Sequence, residues 1–586
     1  MYNSHNYLFV SDFHLGAGLD RRTGLISPRE DFLHDDTFAQ FLAYHAGLQV
    51  VATINEPDHY CACPWILVIN GDLFEFMQIV EKPAEGAELQ QVRDTTDCGD
   101  LSWRERRYGL GTRPRECAWK LERIYQGHLL FFQALAWFAA HDNYGLVILK
   151  GNHDVELYWP LVQQRFRELL VRAYKIWKNA ADEDCGRKSP LPVHEGLPDE
   201  LSLQDLETGV RFPPSFCYEE GLFYAEHGGQ YQSTGLGTCF PDFENPTLPD
   251  EDDMDDPIGK GLIRLPSGSL FVRYVFNRAE TYHPFAENLK PILRYPLWLI
   301  QKLPKGAVYI LFWHLPFGSL LKSFKGFKDW VRRLRDKERE PYVSPGQDGC
   351  SNPEMSPQFC TKLPEIQEQV RSLLRKDALK AKLLIALDAL VSIAGLFVGL
   401  VAFLAVLEDF FEDMYLSEYL LTALQLVLIL AFLWIVKRCG SFLFNKADEV
   451  FETPFLEEAA GKIDEFLCSE EGGPGGVPYY LFGHNHTPYI QRLDSGMGDT
   501  AGGESRWYIN TGSWLPEFDR DNPFRETYKL TYFCLMPGGP GMGTGTPRLL
   551  EWQPEAGRPR IARIYNKNIR LIWKSETRCP EQPESP

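Results

Sequence analysis

Five short apolar runs rich in strand-forming residues each end in a cluster of Asp, His, Asn or Gly, and this recurrence constrains the fold more than any other feature. Tyr7 to Val10 leads into Asp12-Phe13-His14, Ile66 to Ile69 into Gly71-Asp72, and Leu146 to Leu149 into Lys150-Gly151-Asn152-His153-Asp154. Leu222 to Ala225 leads into His227-Gly228-Gly229, and Tyr479 to Phe482 into Gly483-His484-Asn485-His486. Each reads as a buried strand followed by a tight turn. A single Asn-His pair after a strand is often only a turn. Five polar strand ends in one chain are another matter, because such ends lie close together in a layered α/β sheet and distant residues can then form one site.

The residue types limit what that site holds. Carboxylate, amide and imidazole donors without a thiolate suit hard to borderline divalent ions such as Mn, Fe or Zn. Two ions need an anion between them, which a carboxylate such as Asp72 supplies. A pair of ions about 3.5 to 4 Å apart polarises a phosphoryl oxygen and acidifies a bound water, the chemistry of phosphoester hydrolysis.

The ordered set Asp12-x-His14, Gly71-Asp72, Gly151-Asn152-His153-Asp154, His227 and Gly483-His484-x-His486 resembles the calcineurin-like metallophosphoesterase superfamily. The likeness covers about Tyr7 to His227 and Pro478 to Trp514 and leaves out the long stretch between. It implies a four-layer α-β-β-α sandwich and two divalent ions, manganese first, with iron or zinc as alternatives. It further implies that Asp12, His14 and His486 hold one ion, that Asn152, His227 and His484 hold the other, and that Asp72 bridges them. His153 is then the acid at the leaving oxygen and Asp154 the carboxylate that orients it.

At 586 residues the chain exceeds one compact core, so a catalytic domain with a sizeable insertion is expected. The expected parts are 1–233 and 478–586 for the catalytic core and 234–477 for the inserted cap. A formal net charge of -20 argues against general nucleic-acid binding, which needs a basic footprint. Met1 to Val10 has neither a basic segment nor a long apolar one, so no cleavable signal peptide is expected. The thirteen cysteines show no paired framework, which fits reduced thiols and a cytosolic catalytic part.

Asp31 to Ala46 reads as the first helix, and Lys82 to Glu116 as a surface excursion. Ala118 to Ala140 reads as one helix with the stripe Leu121, Ile124, Leu129, Phe132, Leu135 and Phe138. A further helix is expected over Trp159 to Tyr174, with Arg165, Arg167 and Arg172 for solvent or phosphate, a solvated face being the default, and a loop-rich stretch over Glu183 to Pro214. Tyr528 to Leu535 and Ile561 to Tyr565 read as strands of a second sheet. Arg21 and Arg22, just after His14, and Gln230 and Tyr231, just after the Gly228-Gly229 pair, are candidate substrate contacts.

Inside the insertion, Ala389 to Leu407 and Tyr419 to Val436 are uncharged for 19 and 18 residues. At about 1.5 Å per residue each covers roughly 27 to 29 Å, close to a bilayer's hydrocarbon thickness. The two predict a transmembrane hairpin over 383–436. Arg371, Arg375, Lys376, Lys380 and Lys382 precede it and Lys437, Arg438 and Lys446 follow it, while the joining Glu408 to Glu418 is acidic. The positive-inside rule therefore puts both ends, and with them the catalytic part, in the cytosol. Asp388, at the edge of the first run, fits the headgroup level, and the aromatic stretch Tyr295 to Leu321 fits either an interfacial segment or a cap core.

Because the insertion lies between His227 and His484, it leaves and returns at the rim of the site. That placement suits a lipid-linked phosphoester or pyrophosphate, whose headgroup reaches the ions while its acyl chains stay in the bilayer. Ser11-Asp12-Phe13-His14-Leu15, Gly71-Asp72-Leu73-Phe74-Glu75 and Gly151-Asn152-His153-Asp154 also resemble the UDP-2,3-diacylglucosamine hydrolases, manganese enzymes with a membrane-contacting lid. That family commonly has Arg where this chain has His153, and its lids are far smaller. The alternatives are a phosphatase or phosphodiesterase of a soluble substrate with the hairpin only as an anchor, and a non-catalytic membrane scaffold.

Overall fold

A computed structural model gives the fold. It describes residues 5–20, 23–55, 63–84, 86–93, 101–182, 190–193, 196–213, 215–231, 455–468, 475–493, 505–518, 526–536, 547–562 and 564, with positions 269, 272, 273, 277, 280 and 366 from the insertion. Backbone contacts divide the chain into two units, and the first comprises residues 1–230, 244–363 and 460–586. The second comprises 231–243 and 364–459 and is described only at Tyr231, Ile366 and 455–459.

The first unit is mixed α/β, with sheets that combine parallel and antiparallel strands. One sheet has seven strands. At its centre β1 (Asn6–Val10) is followed by a small hairpin of β2 (Leu19–Asp20) and β3 (Leu25–Ile26), and runs parallel to β4 (Trp65–Asn70), which is parallel to β5 (Gly145–Leu149), itself parallel to β6 (Val210–Arg211). The other sheet holds β7 (Phe216–Glu219), β8 (Phe223–Glu226), β9 (Tyr479–Phe482), β10 (Tyr489–Arg492) and β11 (Trp507–Asn510) in the order β10-β11-β9-β8-β7. Within it β8, β9 and β11 are mutually parallel. Downstream of a β12 (Pro516–Phe518) and β13 (Glu526–Tyr528) ribbon come β14 (Thr531–Leu535), β15 (Leu549–Gln553) and β16 (Arg558–Ile561). These last three extend the seven-stranded sheet antiparallel from β1, with Tyr7 opposite Leu535. The expected placement of these late strands in the second sheet is thus corrected: β14 completes the first.

Both faces of β1, β4 and β5 are covered, which is why those strands are apolar almost throughout. Side chains alternate across the sheet, so Leu8, Val10, Leu67, Ile69, Leu146 and Ile148 meet the helices. Tyr7, Phe9, Ile66, Val68, Val147 and Leu149 share a second cluster with Cys217, Phe223, Ala225, Leu481 and Ile509 of the other sheet. On the helix side lie α1 (Asp35–Asn55), the short α2 (Ala87–Arg93) and α3 (Trp103–Tyr108), and the longer α4 (Pro114–Gly127), α5 (Leu129–Ala139) and α6 (Pro160–Asp182). Pro160 opens α6, where a missing N–H costs nothing, and Val162, Phe166, Leu169, Leu170, Ala173 and Trp177 form its buried stripe.

Three expectations change here. The single helix over 118–140 is two helices broken at His128, whose φ is -121°. The supposed surface excursion over 82–116 carries α2 and α3, and Leu89, Val92, Leu101 and Leu110 form a small core of their own. The loop-rich 183–214 contains α7 (Leu203–Gly209), with Ser202 and Asp205 in a reciprocal N-terminal cap. Arg165 and Arg172 pair with Glu122 at 2.7 and 2.6 Å, and Arg167 donates to the carbonyls of Leu206 and Val210, so these arginines tie helices and loops together.

Among the described residues no helix is long and apolar enough to cross a membrane. The predicted hairpin over 383–436, Asp388, the stretch Tyr295 to Leu321, and Arg21 and Arg22 lie outside the described residues.

Candidate metal centre

The site is assembled where parallel strands of the two sheets end. The chain leaves β1 through Asp12, Phe13 and His14, and both outer residues adopt left-handed backbone, with φ of 56° and 49°. Phe13 lies between them with its ring fully buried, edge-on to Phe32, Phe38 and Phe131. Burial of that ring contributes on the order of 2–3 kcal/mol and keeps its two polar neighbours directed away from the core. The neighbouring turn after β4 holds the first by a backbone ladder. Asp12 N–H donates to Gly71 C=O (3.2 Å), Phe13 and His14 N–H donate to Asp72 C=O (2.9 and 3.0 Å), and Leu15 N–H donates to Leu73 C=O (3.0 Å).

The second sheet is joined to this ladder. Gly483 N–H donates to His227 C=O (3.1 Å), and His484 N–H donates to Asp12 Oδ2 (3.1 Å). Ser11 Oγ–H lies against Gly512 C=O (2.9 Å) and Thr511 Oγ1 (2.8 Å), so the Asn510-Thr511-Gly512 turn after β11 closes the rim. Gly71, at φ +85°, is obligatory, because a Cβ there would overlap the His227 imidazole.

All seven expected ligands converge. His486 Nε2 lies 3.2 Å from Asp12 Oδ1, with His14 completing one group of three. Asp72 Oδ2 lies 3.0 Å from His227 Nε2 and 3.6 Å from His14 Nε2, so the carboxylate stands between the two groups, the position of a bridge. Asn152 Oδ1 is 3.2 Å from His227 Nε2. Asp12, His14 and His486, and likewise Asp72, His227 and His484, each bring ligand atoms within 4.8 Å of one another. His227 Nδ1–H donates to Asn70 C=O at 2.9 Å, which turns Nε2 toward the site.

Two further features match bound cations. Asp12 Oδ1, Asp72 Oδ2 and His14 Nε2 are buried, and the polar atoms nearest to them, at 3.0 to 3.6 Å, belong to other expected ligands, so these donor atoms point into the same space. The electrostatics agree. Burial opposes charge on Asp12 and Asp72, yet His486 brings Asp12 down to about 2, and His227 and His153 hold Asp72 well below the carboxylate range. Burial likewise opposes charge on His153 and His227, yet Glu75 and Asp72 raise His153 to about 10, and Asp72 raises His227 to about 9. Burial and the neighbouring His227 push His484 far down. The buried carboxylates and imidazoles thus favour each other's charged forms.

His153, the expected acid, lies beside this centre with its ring 4.7 Å from that of His14. The carboxylate in contact with its ring is Glu75 and not Asp154. Asp154 is fully buried and uses its oxygens on backbone, accepting Gly151 N–H (2.6 Å), Leu73 N–H (2.7 Å) and Phe74 N–H (3.4 Å). It locks the β4 and β5 turns together. Glu75 contacts His153 Nδ1 and lies 3.4 Å from His14 Nδ1. Glu75 stands in the Gly71-Asp72-Leu73-Phe74-Glu75 motif, but its role depends on a turn that carries it back past Asp72. Gln230, an expected substrate contact, gives its amide to Glu226 Oε2 (2.7 Å), and Tyr231 is buried.

No protein-family model, no curated protein and no solved structure matches this chain.

Proposed function

We propose that this protein is a dimetal phosphoester hydrolase of the calcineurin-like kind. The observation that carries the reading is the convergence of Asp12, His14, Asp72, Asn152, His227, His484 and His486, with Asp72 between the two groups and the buried donor atoms facing one another. The proposed architecture is a four-layer α-β-β-α sandwich. It is supported by the apolar cluster between the sheets and by the Tyr480 Oη–H bond to Asp464 (2.6 Å), from the second sheet to helix α8 (Phe455–Leu467).

Two divalent ions at this centre, manganese first and iron or zinc next, would supply Lewis acidity toward a phosphoryl oxygen and acidify a water. Asp12, His14 and His486 would hold one, Asn152, His227 and His484 the other, with Asp72 shared. The remaining work falls to the chain. Glu75 holds His153 through Nδ1, so the opposite nitrogen of the ring carries the proton that the leaving oxygen takes. Asp154 keeps Gly151 and Leu73 in register, so that the Asn152 and Asp72 side chains share one space.

We further propose that the substrate is a lipid-linked phosphoester or pyrophosphate, similar to UDP-2,3-diacylglucosamine, and that the hairpin over 383–436 anchors the chain with its catalytic part on the cytosolic face. Besides the two uncharged runs, the β2–β3 hairpin supports this. It follows His14 within a few residues of chain, and its Leu25 and Ile26 are 68% and 53% exposed, two large apolar side chains open to a partner.

The test is manganese-dependent hydrolysis by the detergent-solubilised protein, with UDP-diacylglucosamine beside a generic bis-aryl phosphodiester and Asp72→Ala as control. Turnover of the lipid nucleotide well above the generic ester supports both parts. Cleavage of the generic ester alone keeps the hydrolase and turns the search to soluble substrates. Absence of both activities, with two ions bound, favours a scaffold.

A further inference from the structure

The insertion reaches the metal centre directly. Ser269 is fully buried, and its Oγ–H donates to Asn152 C=O at 2.6 Å. Arg273, on the same stretch, donates through one guanidinium nitrogen to Gly109 and Leu110 C=O, both at 3.1 Å. Asn277 Nδ2–H donates to Met77 C=O (2.7 Å), and Arg29 Nε–H returns a bond to Asn277 C=O (2.8 Å). Ser269, Val272, Arg273 and Asn277 are helical, and Ser269, Arg273 and Asn277 recur at the spacing of one helix face. The run from Ser269 to Asn277 is otherwise apolar or aromatic. A polar stripe inside such a run is thus buried against backbone carbonyls of the catalytic part, which accept from its side chains.

The Ser269 bond has a particular consequence. Asn152 C=O and His153 N–H belong to one peptide unit, and that N–H donates to Asp72 Oδ1 at 2.8 Å. The unit is planar, so bonds at its two opposite edges, Ser269 on one and Asp72 on the other, fix its orientation. They fix with it the Cα of Asn152, whose Oδ1 lies 3.2 Å from His227 Nε2, and one oxygen of the bridging carboxylate. Without the hydroxyl the plane is held from one edge only.

We propose that Ser269 is a positioning residue of the metal centre, through which the insertion holds the Asn152–His153 peptide and so sets both Asn152 and Asp72 for metal. This rests on the dimetal reading. It gives the insertion a part in assembling the centre, beyond covering it. Removal of an outer-sphere partner of this kind weakens metal affinity by about 10- to 100-fold.

The experiment is a Mn2+ titration by calorimetry of the full-length chain in detergent, for the unaltered protein, Ser269→Ala, Ser269→Cys and Val272→Ala. Cys keeps nearly the volume of Ser with a weak donor, and Val272 is a buried neighbour on the same segment. The expected result is two ions on the unaltered chain, about tenfold weaker binding of at least one ion to both Ser269 variants, and little change with Val272→Ala. Unchanged affinity in either Ser269 variant that folds would overturn the proposal. So would equal weakening by Val272→Ala, which would indicate general loosening of the segment, or loss of fold in both Ser269 variants, which would make the residue one of stability. An unaltered chain that binds no Mn2+ removes the dimetal reading itself, whereas two ions on that chain beside an unaffected Ser269→Ala remove only the role of Ser269.

Discussion

His128 offers a test of the electrostatics that is independent of metal. It sits at the junction of α4 and α5, with Nε2 3.1 Å from Glu30 Oε2 and Nδ1 3.0 Å from Asp35 Oδ1. Glu30 is itself fully enclosed and accepts the N–H groups of Gly16, Gly18 and Phe32, so the imidazolium is the cation beneath the loop that follows His14. Burial alone would lower the His128 pKa, but Glu30 and Asp35 raise it from 6.5 to about 10. The unfolded chain therefore loses this proton near pH 6.5 while the folded chain keeps it to about 10. The contribution is complete below 6.5, declines through the interval and is gone above 10. The interval from 6.5 to about 10, at about 1.4 kcal/mol for each step of one in pH, sets a ceiling near 5 kcal/mol. Because two carboxylates share the proton and relax together, about 2–3 kcal/mol is the expected yield. Urea unfolding followed by tryptophan fluorescence, in detergent with a chelator, measures it at pH 7 and pH 10 for the unaltered chain and His128→Gln. The unaltered chain should lose about 2–3 kcal/mol more than the variant over that range. Parallel losses in the two proteins would refute the assignment of the cation to His128.

Glu75→Gln should lower kcat by about 10- to 100-fold and flatten the limb of the pH profile that belongs to the acid, with a smaller effect on bound Mn2+ read by elemental analysis. Asp154→Asn should disturb metal content more than Glu75→Gln does, because its oxygens hold the backbone of both ligand turns. Gly151→Ala should abolish stable metal binding, since the added Cβ would overlap the Asp72 carboxylate, and Mn2+ calorimetry would detect it. Replacing Leu25 and Ile26 together by Asn should change stability by under about 0.5 kcal/mol, as expected for exposed positions. The same pair should slow turnover of a lipid substrate in vesicles several-fold while sparing a soluble ester, and equal effects on both substrates would remove the hairpin from lipid contact.

The strands that carry ligands were legible because burial on both faces writes itself into composition. The expected Tyr479 to Phe482 coincides with β9, and Tyr7 to Val10 misses β1 by one residue. The helix break was hidden for a matching reason. Leu121, Ile124, Leu129, Phe132 and Leu135 keep helical spacing across it, and the cause of the break is tertiary: Gly127 packs against the backbone of Ala17 and Gly18, and His128 turns to Glu30 and Asp35. β14 could be read as a strand, but its partner β1 lies more than five hundred residues away and no local pattern names it. Asp154 and Glu75 illustrate the same limit at the site. Both are carboxylates in ligand motifs, and which one meets His153 is decided by how two turns fold over each other.

The motif spacing itself has a structural cause. In an extended strand, residues i and i+2 point the same way but stand nearly 7 Å apart, too far to share one ion. Here both Asp12-x-His14 and His484-x-His486 place their outer residues in left-handed backbone, with φ of 56° and 49° in the first and 71° and 58° in the second. The curl draws alternate side chains together and sends the middle residue elsewhere, which for Phe13 is the core. Each such residue costs about 1–2 kcal/mol against ordinary backbone. The surroundings offset that cost: Asp72 C=O accepts two N–H groups of the first turn, and Phe13 is held on a bed of aromatic rings. Among the described residues the non-glycine positions with positive φ are Asp12, His14, Asp72, His484 and His486, all expected ligands, together with Asn143 and Leu530, so most of this strain falls where the fold gives up stability for geometry. The spacing legible in the sequence is the trace of that geometry.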